Sequence, residues 1–155
     1  MDKLISFLRS KPVFFLLLPF FFVFHGWVEN YNAIPVKDAG WLLLIYLFAS
    51  LILFFLSWLV FRNMLKAALL SFCLMAFHFF FGGMHDVLKN WFDDAFISRY
   101  SFLLPFFLAL FIILFIVLKK NRSVTSRACF YLNILVVLIF SLIFVFYFFL
   151  VRIYV

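Results

Sequence analysis

Two groups of polar side chains interrupt an otherwise apolar chain, and they hold residue types that bind metals and polar groups. The groups consist of His25, Glu29, Asn30 and Asn32, then His85 and Asp86. His25 and Glu29 are spaced i, i+4, so both side chains point the same way if a helix continues through them. Two imidazoles and two carboxylates could hold a divalent metal, although the sequence has no HExxH motif or other fixed ligand spacing.

These polar groups have three interpretations: a metal site, a contact for a head group or partner, or simple polarity where the chain meets water. We expect the second, with no metal and no catalytic residue. The expected contact residues are His25, Glu29, Asn30, His85 and Asp86, with Trp91 and Arg99 behind them.

Two further polar residues, His78 and Asn133, fall inside apolar runs. An ionisable group in hydrocarbon is costly and suggests function. A proton relay needs a chain of such groups, however, and His78 has no second ionisable residue beside it. We therefore expect a neutral imidazole bonded to a neighbouring helix, or to Asn133 or Tyr131. Asn133 and the serines of these runs are expected to form hydrogen bonds between helices; those serines are Ser50, Ser57 and Ser141.

Signatures of catalysis are missing from the sequence. There is no GxSxG motif and no glycine-rich phosphate loop. Cys73 and Cys129 have no CxxC partner, so neither a metal site nor a disulfide is indicated. We expect no enzyme chemistry from this chain itself, and no cofactor.

The composition predicts a membrane protein. Hydrophobic residues make up 70% of the chain and charged residues only 12%, whereas a soluble domain carries about a quarter charged residues. The net charge of +7 is therefore interpreted as a signal of membrane topology and not of nucleic-acid binding.

Five apolar runs are long enough to be membrane helices, since roughly 20 residues at about 1.5 Å each cross the hydrocarbon core. They cover residues 12–27, 41–61, 65–83, 101–118 and 128–151. Gly82 and Gly83 are predicted to end the third helix, as glycine often does. The predicted fold is all-α, with residues 1–155 forming one polytopic membrane domain.

The connecting segments alternate in charge, which predicts the orientation. One side carries nine basic residues and the single acid Asp2; the basic residues are Lys3, Arg9, Lys11, Arg62, Lys66, Lys119, Lys120, Arg122 and Arg127. Short loops rich in Lys and Arg stay in the cytoplasm. The N-terminus is therefore predicted inside and, after five crossings, the C-terminus outside.

The segment after the third run has a different pattern. In residues 86–97, apolar residues recur at helical spacing, with Asp86, Lys89 and Asp93 on the opposite face. This pattern predicts a short amphipathic helix lying in the outer head-group layer. An aromatic belt is expected at the same surface, formed by Trp27, Tyr31, Trp41, Trp91 and Tyr100.

Several stretches, taken in order, resemble a known bacterial family. They are "LLPFFFVFHGWVENY", "RNMLKAALLSFCLMAFHFFFGGMHDVL", "SRYSFLLPFFLALFIILFIVLKKNRS" and "ACFYLNILVVLIF". Together they resemble the N-terminal five-helix domain of membrane-anchored sulfatase-like proteins. That family belongs to the alkaline-phosphatase superfamily and is similar in layout to lipoteichoic acid synthase. The order of the stretches carries more weight than any one of them, because Phe/Leu-rich helices resemble one another.

The resemblance implies a function. In that family the five helices precede an extracytoplasmic domain that transfers or hydrolyses phosphate or sulfate esters, with a Ser or Thr nucleophile and an Asp/His-bound metal. None of those residues can be assigned in this chain. The resemblance therefore implies a bacterial cytoplasmic-membrane anchor, which presents a lipid-linked substrate or partner to such an enzyme.

An alternative is a stand-alone integral membrane subunit of a transport, flippase-like or export complex. The sequence leaves open whether the chain forms an oligomer. The anchor hypothesis predicts a reading frame that continues into a soluble domain after codon 155. The subunit hypothesis predicts a stop codon there and co-purifying proteins. A channel would need a polar stripe through the bundle, which the sequence does not show.

Overall fold

The computed structural model describes residues 7, 11–30, 33–92, 96–120 and 126–154, and the side chains of the last helix at 128–142, 144 and 145. Its helices are α1 (Phe14–Glu29), α2 (Val36–Phe61), α3 (Met64–Trp91), a 3₁₀ helix (Phe96–Ser98), α4 (Tyr100–Lys120) and α5 (Ser126–Tyr154). The described residues contain no strand, so the prediction of an all-α fold is confirmed.

Three of these helices, α2, α3 and α4, are long and apolar enough to cross a membrane by length and composition. Two shorter apolar stretches are found among the described residues: Phe14–Glu29, which is all of α1, and Ala128–Leu142, which is the continuously described part of the 29-residue α5. The 16 residues of α1 rise roughly 24 Å, against a hydrocarbon core of about 30 Å. The five predicted runs are therefore all helical, and over their described residues three of the helices meet the length and composition expected of a span.

The turn between α2 and α3 is tight and is held by backbone hydrogen bonds. Arg62 ends α2 in the left-handed conformation, with φ 49°, and its N–H donates to the carbonyl of Trp58. Asn63 then begins α3 as an N-cap, since its side-chain oxygen accepts from the N–H groups of Leu65 and Lys66 at 3.0 and 3.2 Å. Two residues therefore reverse the chain without leaving the capped N–H groups unpaired.

The predicted end of the third helix at Gly82 and Gly83 is wrong. Helix α3 continues to Trp91, and neither glycine has a positive φ. Glycine weakens a helix by about 1 kcal/mol relative to alanine. Breaking the helix in an apolar environment would cost more, because the freed N–H and C=O groups would lose their partners.

The separate amphipathic helix predicted over residues 86–97 is also wrong in its boundaries. Residues 86–91 form the last turns of α3, and Phe96–Ser98 forms the 3₁₀ helix; residues 93–95 lie outside the described residues. The predicted amphipathic period was continuous with the period of α3, so the sequence pattern did not mark a boundary between two helices.

Ring contacts show that α1 and α3 run parallel. Phe14 meets Phe72 with ring centroids 5.3 Å apart, and Phe22 stacks on Phe79 at 4.1 Å. Helix α5 runs the same way, because Asn133 bonds to the start of α1 and Phe140 lies against Phe24, near its end.

Helices α2 and α4 run in the opposite direction. Tyr46, early in α2, packs edge-on against Phe79 late in α3, at 4.9 Å. Tyr100, the first residue of α4, stacks on His85 near the end of α3. The chain therefore alternates in direction from helix to helix. We name the end where α1 and α3 finish the rim end, and the end where they begin the clamp end.

Helix α1 lies at the centre of the core. It packs against α2, α3 and α5, and its buried residues Phe14, Phe15 and Leu18 join two apolar clusters with residues of α3 and α5. Helix α4 is peripheral: it packs mainly on α3, through Phe77 and Phe107 at 4.9 Å. The packing of α1 against its neighbours therefore fixes the positions of the polar groups on α1 and α3. Helix α4 covers one side of α3.

Candidate functional site

The first polar group is a histidine–carboxylate contact at the rim end. His25 Nε2 lies 3.4 Å from Glu29 Oε1, and the two side chains are 44% and 61% exposed. The prediction that both side chains point the same way is confirmed, because α1 continues to Glu29. Phe21 stacks on the His25 ring at 5.9 Å, which orients the imidazole.

Asn30 is used locally to end α1. Its side-chain amide donates to the carbonyl of Gly26 at 2.9 Å, and its backbone N–H donates to the carbonyl of Trp27 at 3.1 Å. These bonds satisfy carbonyls that the helix end leaves without intrahelical partners. Asn32, predicted beside it, lies outside the described residues.

The second polar group is more enclosed. His85 Nδ1 lies 3.3 Å from Asp86 Oδ1; the histidine side chain is 11% exposed and the aspartate 76%. The His85 ring stacks on Tyr100 with centroids 4.0 Å apart and planes 14° apart. Tyr100 was predicted only as part of an aromatic belt, and its contact with His85 depends on α4 folding back along α3.

Trp91 and Arg99 follow this second group along the chain. Trp91 ends α3 and is 78% exposed. Arg99 is also exposed and immediately precedes Tyr100. We call five residues at this end of the bundle the polar rim: His25, Glu29, His85, Asp86 and Arg99. It offers two exposed carboxylates as acceptors and one guanidinium as a donor.

The histidines of the polar rim are held in pairs and not in a larger cluster. Each has a ring nitrogen close to a carboxylate oxygen of its own helix, at 3.4 Å for His25 and 3.3 Å for His85. Throughout the part of the chain that the structure describes, no group of three or more His, Cys, Asp or Glu side chains comes together. The arrangement offers exposed charge for polar contacts.

His78 contacts a neighbouring helix through aromatic rings. Its side chain is exposed, and its ring lies 5.8 Å from the ring of Tyr46 and 5.6 Å from that of Phe79. A hydrogen bond to Asn133 or Tyr131 is not present among the described residues. An outward-facing histidine packed on aromatic rings does not take part in a buried polar network.

Asn133 forms the most buried polar site, at the clamp end. Fully buried on α5, its Oδ1 accepts from the N–H groups of Val13 at 3.0 Å and Phe14 at 2.8 Å, and its Nδ2 donates to the carbonyl of Lys11 at 2.8 Å. Val13, at the N-cap position of α1, provides no side-chain cap. We call this set of bonds the Asn133 clamp, because it caps α1 from a helix about 120 residues away.

The serines of the apolar helices differ in how their hydroxyl groups are bonded. Ser71 donates to the backbone carbonyl of Ser50 at 3.1 Å and so joins α3 to α2. The Ser50 hydroxyl is buried without a partner, and Ser141 bonds the carbonyl of Val137 in its own helix at 2.8 Å. The expected bonds between helices from the hydroxyl groups of Ser50 and Ser141 are therefore wrong, and the bond that joins α2 to α3 is donated by Ser71 to the backbone carbonyl of Ser50.

Comparison with protein-family models, with curated proteins and with solved structures gives no match for this chain. The class that the fold and site define is an all-α bundle of apolar helices. Three of its helices are suited by length and composition to cross a membrane, and its histidine–carboxylate pairs lie at one end.

Proposed function

We propose that this chain is a multi-pass membrane anchor of the bacterial cytoplasmic membrane, with its N-terminus inside and its C-terminus outside. Its polar rim would then lie at the outer surface, where it contacts a lipid head group or an extracytoplasmic enzyme domain that modifies envelope phosphate or sulfate esters. The sulfatase-like membrane domains described above remain the family it resembles.

The observation that carries this proposal is the unequal distribution of charge between the two ends of the bundle. Lys11, Lys66 and Lys119 lie at the clamp end, whereas Glu29, Asp38 and Asp86 lie at the rim end, together with Lys37, Lys89 and Arg99. Because Lys and Arg in short loops are retained in the cytoplasm, this distribution supports the clamp end as the cytoplasmic one.

Single-cysteine labelling tests the orientation. In a background with Cys73→Ala and Cys129→Ala, we expect a membrane-impermeant maleimide to label Asp38→Cys on intact bacterial spheroplasts. Lys119→Cys, exposed in the last turn of α4, should be labelled only after permeabilisation. Labelling in the reverse pattern would contradict the anchor proposal and the position of the polar rim together.

The contact role of the polar rim has its own test. Glu29→Gln combined with Asp86→Asn should leave the amount of membrane-inserted protein unchanged, because both carboxylates are exposed. The double variant should bind glycerophosphoethanolamine several-fold more weakly than the parent protein in titration calorimetry. Asp38→Asn is the matched control, as another exposed carboxylate of the rim end, and equal weakening in that control would assign the effect to general charge.

A further inference from the structure

An apolar cleft opens between α1, α2 and α5, near the rim end. Its volume is about 250 Å³, and its lining includes Phe24 and Trp27 of α1, Gly40 of α2 and Phe140 of α5. Every lining side chain is apolar or aromatic, and the indole N–H of Trp27 donates to the carbonyl of Ile34. The cleft is therefore a hydrocarbon-lined space that offers little to a polar ligand.

The size of the cleft narrows the choice of occupant. The volume of about 250 Å³ holds on the order of eight groups of the size of a water molecule, at about 30 Å³ each. A space of this size suits one narrow hydrocarbon chain.

Gly40 lies in the wall of the cleft. A Cβ atom added at Gly40 would meet no atom within 4 Å, so the helix backbone does not need glycine for close approach there. Glycine inside a helix destabilises it relative to alanine. The absent side chain thus leaves free space at the wall of the cleft without serving the packing of α2.

The charges around the cleft favour an anionic guest. On α2 the lining residues are Val36, Ala39, Gly40 and Leu43. At about 100° of rotation per residue, Lys37 flanks this face while Asp38 lies on the opposite side of the helix. The same rotation places His25 and Glu29 on the side of α1 away from the cleft. Among the described charged side chains of α1 and α2, the exposed Lys37 lies closest by helical rotation to the face that lines the cleft, and its long stem can reach toward the mouth.

We propose that this cleft binds one acyl chain of an anionic phospholipid as a resident lipid, with the chain along Phe24 and Phe140 and the phosphate beside Lys37. The assignment to the outer leaflet rests on the orientation proposed above. The binding site itself is separate from the polar rim, whose members on α1, His25 and Glu29, lie on the side of that helix away from the cleft.

Fluorescence quenching of Trp27 tests the proposal, because its indole lines the cleft. Protein in detergent with Trp41, Trp58 and Trp91 replaced by Phe is titrated with phosphatidylglycerol brominated on its acyl chains. We expect saturable quenching of Trp27 at low lipid-to-detergent ratios. Gly40→Leu should weaken it several-fold by filling the cleft, and Ala39→Leu provides a second filling variant if the first fails to fold.

Gly82→Leu is the matched control, since a Cβ at Gly82 also meets no atom within 4 Å but lies on α3 outside the cleft. Lys37→Gln should weaken quenching by brominated phosphatidylglycerol and leave quenching by brominated phosphatidylcholine nearly unchanged. Equal quenching in the parent and both filling variants would overturn the site. A dimer in the parent that Gly40→Leu dissociates would overturn it in favour of a second copy.

The orientation of the chain in the membrane does not affect the quenching assay, because the protein is in micelles. Labelling of Asp38→Cys only from the inside, with quenching intact, would refute the proposed orientation and retain the lipid site. Loss of Trp27 quenching, together with labelling of Asp38→Cys from the outside, would refute the lipid site and retain the proposed orientation.

Discussion

The two ends of the bundle use polar side chains in opposite ways. At the clamp end one asparagine is fully buried and forms three hydrogen bonds to the backbone around the start of α1. At the rim end two histidines pair with exposed carboxylates of their own helices. Buried backbone groups are expensive to leave unpaired, whereas exposed ion pairs add little stability. We infer that the clamp end serves folding and that the rim end is free to serve contacts.

The strongest test of this contrast is Asn133→Leu. It would leave the N–H groups of Val13 and Phe14 without their acceptor in an apolar setting, so we expect a loss of about 2–4 kcal/mol in the free energy of unfolding. Reversible denaturation in mixed micelles measures it. Ser141→Ala, which removes a hydroxyl bonded only within its own helix, is the control on α5. Equal losses of unfolding free energy in Asn133→Leu and Ser141→Ala would show that the Asn133 clamp stabilises the fold no more than a hydrogen bond within one helix.

A smaller effect is expected at the second capped helix start, which is also at the clamp end. Asn63→Ala removes the side-chain acceptor for the N–H groups of Leu65 and Lys66, so it should cost about 1 kcal/mol. The same denaturation experiment applies. Asn90→Ala is the matched control, because Asn90 lies exposed in the same helix. A larger loss for Asn90→Ala would contradict the assignment of Asn63 as the cap.

The contact between α2 and α3 refines the contrast, since it separates a bonded serine from an unbonded one. Ser71→Ala removes a hydrogen bond to the carbonyl of Ser50 and should cost about 0.6 kcal/mol, a typical value between membrane helices. Ser50→Ala removes a buried hydroxyl that has no partner and should be neutral or stabilising. Measuring the free energy of unfolding of both variants checks this order. A larger loss for Ser50→Ala than for Ser71→Ala would refute Ser71 as the donor.

The smallest effect is expected at the polar rim. Glu29→Gln removes the partner of His25, but both side chains are well exposed, so the free energy of unfolding should change by at most about 0.5 kcal/mol. The change should shrink further in high salt, because exposed charges are screened. A loss as large as that of Asn133→Leu would remove the distinction between the two ends.

Sequence by itself predicted the five helical segments, their all-α class and the excess of basic residues at one end, because hydropathy and charge are local properties of a stretch of chain. It also predicted the His25–Glu29 pair, which needs only the period of one helix. Its boundary at Gly82 and Gly83 was wrong, since glycine preference is weak against the need to keep backbone hydrogen bonds in apolar surroundings.

Tertiary structure decided the contacts between distant parts of the chain. The partners of Asn133, the stacking of His85 on Tyr100 and the cleft beside Gly40 all depend on how helices pack, and no local pattern specifies which face meets which neighbour. Asn133 was recognised as a polar residue suited to a bond between helices. Its actual partners are the uncapped N–H groups of α1, and this contact depends on the parallel packing of α5 against α1.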